Sequence, residues 1–279
     1  MRVNLVKGLV LLLSLATMAP TLYRPTGSKT SAPKYEISDV PFAAGEVFEY
    51  CVSWNGIPAA NSVTWVERCV QDGTDLYEFQ MITKSNSVID ILFDVHETAR
   101  STVDAKTLLP IRHDLIHQLN DRQWRYTAVF DHTARMARCQ RAIVHKDRIE
   151  KVRLSFQNAY DPISLPYFLR TLAWKVGDAR QLELVEDNTR FLFTMMAVGQ
   201  EEISVPAGKF RAIQFELTIR NLTTRRKEEA EVKRAEVWAS DDRYHIPLRL
   251  KTGAFIGHIY ADLAKFKLAS GETPPSLCQ

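Results

Sequence analysis

Nowhere in this chain do twenty apolar residues follow one another, which excludes a helical membrane span of ordinary length. Cysteine is scarce: four residues, at 51, 69, 139 and 278, with no CxxC pair and no Cys/His spacing of the kind that holds zinc. No sign of charge prevails, with 36 Lys and Arg against 33 Asp and Glu. The net charge is +3, two units of which come from Arg2 and Lys7. The one basic run, Arg225-Arg226-Lys227, is answered at once by Glu228, Glu229 and Glu231, so it reads as a solvated loop or strand edge. A nucleic-acid partner is therefore not expected. Glycine and proline, 11 and 12 of 279 residues, are too few for a collagen-like or low-complexity chain. No repeat of 20–50 residues is visible, so solenoids are excluded.

What is present begins at the N-terminus. Arg2 and Lys7 precede the uncharged core Leu9–Ala16, which is the layout of a secretory signal. Small residues at Ser14 and Ala16 suit cleavage after Ala16, whereas Pro20 disfavours cleavage after Ala19. A leader over 1–16 implies a periplasmic or secreted protein with no stable membrane span after processing. Residues 17–41, rich in Pro, Ser, Thr and Lys, read as a flexible linker. The tail 269–279, with Pro274-Pro275, reads the same way.

Between them, 42–268 reads as a single β-rich domain. Phe48, Tyr50, Val52 and Trp54 alternate with polar neighbours, Asn55-Gly56 supplies turn residues, and Val63 and Trp65 begin the return strand. Placing residue 54 opposite 61 in that hairpin sets Cys51 and Cys69 roughly 15 Å apart, too far to bridge. A bond from Cys278 to either would tie down the tail, and free thiols fit equally well. Further strands are expected at 95–103, 111–119, 122–130, 135–144 and 148–156, then at 180–187, 189–199, 209–221, 231–239, 244–251 and 254–266. So many short strands at hairpin spacing predict an all-β, mainly antiparallel fold, a large curved sheet or half-open barrel. Residues 88–93 allow a turn or two of helix. One principal helix opens at Asp161-Pro162-Ile163-Ser164, with Asp161 as cap and Pro162 in the first turn, and stops before Gly177.

The helix puts Ile163, Tyr167, Arg170 and Trp174 on one face. An Arg on a buried face needs a partner, for which Glu202 is a candidate, unless it meets an anionic headgroup at the mouth of a cavity. His113 and His117 fall on a strand, where residues four apart are ~13 Å from each other, so no metal is expected there. Asp241-Asp242 suits a hairpin turn. Ser164 sits in no G-x-S-x-G elbow, and no catalytic residue or cofactor is expected.

The order of several motifs is similar to that of the bacterial exported family called domain of unknown function 3108. They are Pro41-Phe42 with Gly45-Glu46 and Tyr50, Val52 through Ile57, Asp161-Pro162-Ile163-Ser164 with Tyr167 and Leu169-Arg170, Val198 through Ile203 with Ala207 through Phe210, and Val237 through Asp242 with Ile246-Pro247 and Gly257. The resemblance implies an extracytoplasmic β-rich protein without an established activity, similar in architecture to the half-open barrels of lipoprotein carriers. The aromatic-rich strands and the inward face of the helix lead to an expected function, binding of a lipid or other hydrophobic ligand in a concave sheet, through Arg170, Tyr167, Trp174, Trp54 and Trp65. The alternative is a structural module that contacts another envelope protein.

Overall fold

The computed structural model describes residues 35–37, 39–90, 94–223, 232–254 and 257–278. The leader, most of the linker and the charge run at 225–231 lie outside these residues. The chain forms β1 (Val47–Trp54), β2 (Ile57–Gln71), β3 (Thr74–Ser85), β4 (Val95–Asp104), β5 (Pro110–Leu119), β6 (Arg122–Asp131), β7 (Met136–Ile143), β8 (Arg148–Ser155) and β9 (Ala159–Tyr160). After the principal helix follow β10 (Ala179–Glu186), β11 (Thr189–Val205), β12 (Gly208–Asn221), β13 (Val232–Ser240), β14 (Pro247–Gly253), β15 (His258–Lys267) and β16 (Leu277–Cys278). The helices are α1 (Ser87–Asp90) and α2 (Ser164–Arg170). The strands expected from 95–103 to 148–156 are found within a residue of their bounds, and β11 runs on to Val205.

All the strands belong to one sheet. From β1 the chain winds outward strand by strand to β8, and from β15 the order returns through β14 to β9. Pairing of β1 with β15, from Val47↔Lys267 to Trp54↔Ile259, joins the two wings. Every pairing is antiparallel except that of the two-residue β9 with β10. A sheet of this width twists and coils, which brings its two free edges toward each other. Arg141 on β7 reaches Asp187 in the β10–β11 turn at 3.2 Å, and the Arg190 guanidinium donates to the Ser155 carbonyl at the end of β8. Side chains thus lace an open seam, and the result is a half-open barrel.

The hairpin β1–β2 is tighter than the sequence suggested. Asn55 (φ 49°) and Gly56 (φ 82°) form a two-residue turn with Trp54 opposite Ile57, and a bulge follows between Val52 and Ser53. Cys51 then faces Asn61 and Trp65 faces Val47. Asn-Gly tolerates left-handed dihedrals at both positions, which the longer loop did not use. The Asn55 side chain also accepts from His258 N at 2.8 Å, and Gly257 leaves it room, since a Cβ there would come within 2.0 Å of Asn55 Oδ1. The four cysteines are free thiols.

At both ends of the domain, described residues contact the sheet. Residues 270–278 fold back on the sheet: β16 pairs with β12, and Ser276 donates to Asp242 Oδ2 at 2.6 Å. Asp242 Oδ1 meanwhile accepts from Ser240 Oγ and Tyr244 N, so this residue shapes the β13–β14 turn and anchors the tail. At the other end, Tyr35, Ile37 and Val40 pack on the main core, and the Tyr35 hydroxyl accepts from Gln181 N.

Candidate functional site

Asp161 starts α2. Its Oδ1 accepts from Ile163 N (2.8 Å) and Ser164 N (2.9 Å), which satisfies two of the amides a helix start leaves open. Its Oδ2 accepts from Ser164 Oγ (2.8 Å) and from Ser101 Oγ on β4 (2.6 Å), which fastens the helix to the sheet. His113 Nδ1 lies 3.6 Å from Asp161 Oδ1 and 3.2 Å from the Arg100 carbonyl. This is not a nucleophile arrangement, because the serine hydroxyl donates to the aspartate and not to a histidine. His117 Nδ1 lies separately, 3.4 Å from Glu97 Oε2. Among the described residues, no three His, Cys, Asp or Glu side chains converge as a metal site.

Arg170 ends the helix. Its guanidinium grips Glu46 with both forks, at 2.6 and 2.9 Å, and Nε donates to the Tyr244 carbonyl at 2.9 Å. The partner is thus Glu46 and not Glu202, which is exposed and bound to Lys209. Burial pushes the Arg170 pKa down, but the charge and hydrogen bonds of Glu46 outweigh it and leave the cation firmly protonated. Phe42, Phe48 and Tyr167 stand 5.1–5.6 Å from the guanidinium carbon. His245 Nδ1 lies 3.0 Å from the Arg170 carbonyl, an orphan acceptor of the last turn.

The helix so held roofs a cavity of about 260 Å³. Phe193, Met195, Phe215 and Leu217, buried on β11 and β12, line its wall. Ala235, Val237 and Leu250 on β13 and β14, all half-buried, line it as well. Pro166, Tyr167, Arg170 and Trp174 form the roof. The polar groups in the wall are occupied by one another. Tyr50 Oη donates to the Pro247 carbonyl at 3.0 Å, and Ser62 Oγ and Thr83 Oγ1 share a 2.8 Å bond. Burial pushes the Tyr50 and Tyr167 hydroxyls well above their ordinary pKa, so both stay neutral. Trp174 Nε1 donates to the Leu169 carbonyl at 3.0 Å.

Of the five residues singled out in the sequence, the structure brings Arg170, Tyr167 and Trp174 to the cavity wall. Trp54 packs instead with Val52, Ala60 and Ile259 at the hairpin end. Trp65 faces away from the cavity, where its Nε1 donates to Glu67. Its neighbours Ser62 and Thr64 line the cavity, and strand neighbours point to opposite faces. The apolar wall of β11–β14 is not among the residues the sequence singles out, although Phe193, Met195 and Ala197, buried in alternation with Thr194 and the exposed Met196, mark an inward face.

The family of proteins of unknown function DUF3108 matches residues 49–264. The chain belongs to that family. No curated protein matches this DUF3108 chain. Among solved structures it resembles the β-barrel-like DUF1849 protein from Brucella abortus, with a TM-score of 0.54 at 11% identity over 81% of this chain and 98% of that one. That similarity shows the fold alone. A candidate lipoprotein from Parabacteroides distasonis (TM-score 0.34, 10% identity, 82% and 98% covered) and a candidate exported protein from Bacteroides fragilis (TM-score 0.30, 8% identity, 81% and 97% covered) superpose too loosely to add to it. Among the described residues no helix is long and apolar enough to cross a membrane.

Proposed function

We propose that this DUF3108 chain is an exported envelope protein, periplasmic or secreted, that holds a hydrophobic ligand in the cavity under α2 without covalent chemistry. One observation carries this reading: the cavity walls offer apolar surface, while the polar groups beside it already have partners. Arg170, the one cation with a place in the roof, is neutralised by Glu46. A ligand placed here gains from burial of its own apolar surface and finds no free charge to neutralise a headgroup. At about 260 Å³ the cavity lies between the ~150 Å³ that admits a benzene ring and the ~300 Å³ where pockets for drug-sized molecules begin. That suits a single acyl chain or a small ring system, not a whole two-chain lipid. The basic n-region and apolar core at 1–16 support export.

Native mass spectrometry of protein purified from its own envelope fraction tests the reading. The expected result is a co-purifying apolar molecule of fewer than about twenty carbons, released on denaturation. Protein that arrives empty, and takes up no such molecule when offered it, leaves the interaction-module reading instead.

A further inference from the structure

The register of β5–β8 aligns their outward side chains in rows across the convex face. One row runs Arg112, Val129, Arg138, Arg153; the next Asp114, Thr127, Gln140, Lys151; the third Ile116, Arg125, Ala142, Ile149. Arg138 lies directly opposite Arg153, an arrangement in which two like charges repel at close range. On this face Asp114 is engaged by Arg112 at 2.6 Å. Arg125, Arg138, Lys151 and Arg153 are exposed and make no ion pair with any described residue. Elsewhere on the sheet outward cations do pair, as in Arg100–Glu78, Arg249–Asp262, Lys251–Glu236 and Lys265–Glu49. Apolar side chains flank the unpaired cluster: Ile149 is 60% exposed, Ile116 42%, and Val144, just beyond β7, 46%.

We propose that the convex face of β5–β8 docks on an anionic phospholipid surface. Four unpaired cations beside exposed aliphatic side chains fit a bilayer interface, where cations gain from anionic headgroups and apolar side chains enter the headgroup boundary. An acidic protein would answer the charge but leaves the isoleucines without a counterpart. The inference is independent of what fills the cavity, which lies on the concave side.

The test is co-sedimentation of the whole protein with vesicles of phosphatidylcholine containing a quarter phosphatidylglycerol, against pure phosphatidylcholine, in low and high salt. Binding is expected only to the anionic vesicles, and weaker in high salt. The pair of changes Arg138→Ala and Arg153→Ala should weaken it about 30-fold, whereas Lys106→Ala with Lys175→Ala, exposed cations elsewhere, should change it less than threefold. Arg138→Glu alone provides a separate signature. It places a carboxylate opposite Arg153 and should raise Tm by about 1–3 °C while weakening binding. No anionic-vesicle binding, equal loss with the control pair, or capture by polyglutamate but not by vesicles would each overturn the proposal.

Discussion

Arg170 and Glu46 are 124 residues apart in sequence and 2.6 Å apart in the fold. Arg170 ends α2, and Glu46 immediately precedes β1, where the two wings of the sheet meet. Their bond, together with that of Ser101 to Asp161 at the other end, holds α2 across the concave face. Removing one partner strands the other as a buried charge, which costs roughly 3–5 kcal/mol, whereas replacing both by apolar residues is often close to neutral. Glu46→Gln should therefore lower Tm by about 10 °C or more, and Glu46→Leu with Arg170→Met by much less. Calorimetry on the single and double variants measures the difference.

Trp238 is buried among Phe48, Phe210 and Leu248, and its Nε1 donates to Glu201 at 2.6 Å. Truncation to Ala should destabilise by about 3–5 kcal/mol, mostly through the cavity left behind. Trp238→Phe keeps most of the packing and loses the hydrogen bond, at a cost nearer 1 kcal/mol. Equal denaturation midpoints for Trp238→Ala and the parent chain would show that this packing contributes nothing.

Glu186, on the seam strand β10, is buried, and burial pushes its carboxyl well above the ordinary carboxylate range, with Glu97, Asp187 and Asp161 adding to the shift. The folded state thus binds a proton there more tightly than the unfolded chain does. Its contribution is complete below the unfolded pKa of about 4.3 and is lost as pH rises through the folded value. Glu186→Gln should remove that loss, so the variant's stability exceeds the parent's increasingly as pH is raised. Asp104 and Asp114 act with the opposite sign at low pH, since burial raises both but hydrogen bonds and neighbouring cations outweigh it and hold them below the ordinary range. Urea denaturation from pH 2 to pH 9 separates the two contributions, that of the aspartates falling away below about pH 4 and that of Glu186 above it.

Val237 lines the cavity and is half-buried, so a larger side chain there enters the cavity and not a packed core. Val237→Trp should cut uptake of a hydrophobic fluorescent probe by about tenfold or more, which corresponds to ~1.4 kcal/mol, with Tm nearly unchanged. Undiminished uptake would place the binding surface elsewhere.

The strands, the helix start and the family resemblance were legible in the sequence because each rests on near neighbours. Alternation over β4–β8 is a local pattern, and Asp161 caps amides two and three residues away. Tertiary structure decided what depends on register and distance. Whether Trp65 faces in or out follows from a two-residue turn and a bulge, and a shift of one residue exchanges the faces of a strand. Glu46 became the partner of Arg170, and Glu202 did not, because only the coiling of the whole sheet brings the start of β1 beneath α2. The tail docks because Ser276 meets Asp242, a contact between residues 34 apart that no local composition records. Hydrophobic patterning follows from residue identity and spacing, whereas the closure of a cavity is a property of how strands far apart in the chain are made to curve together.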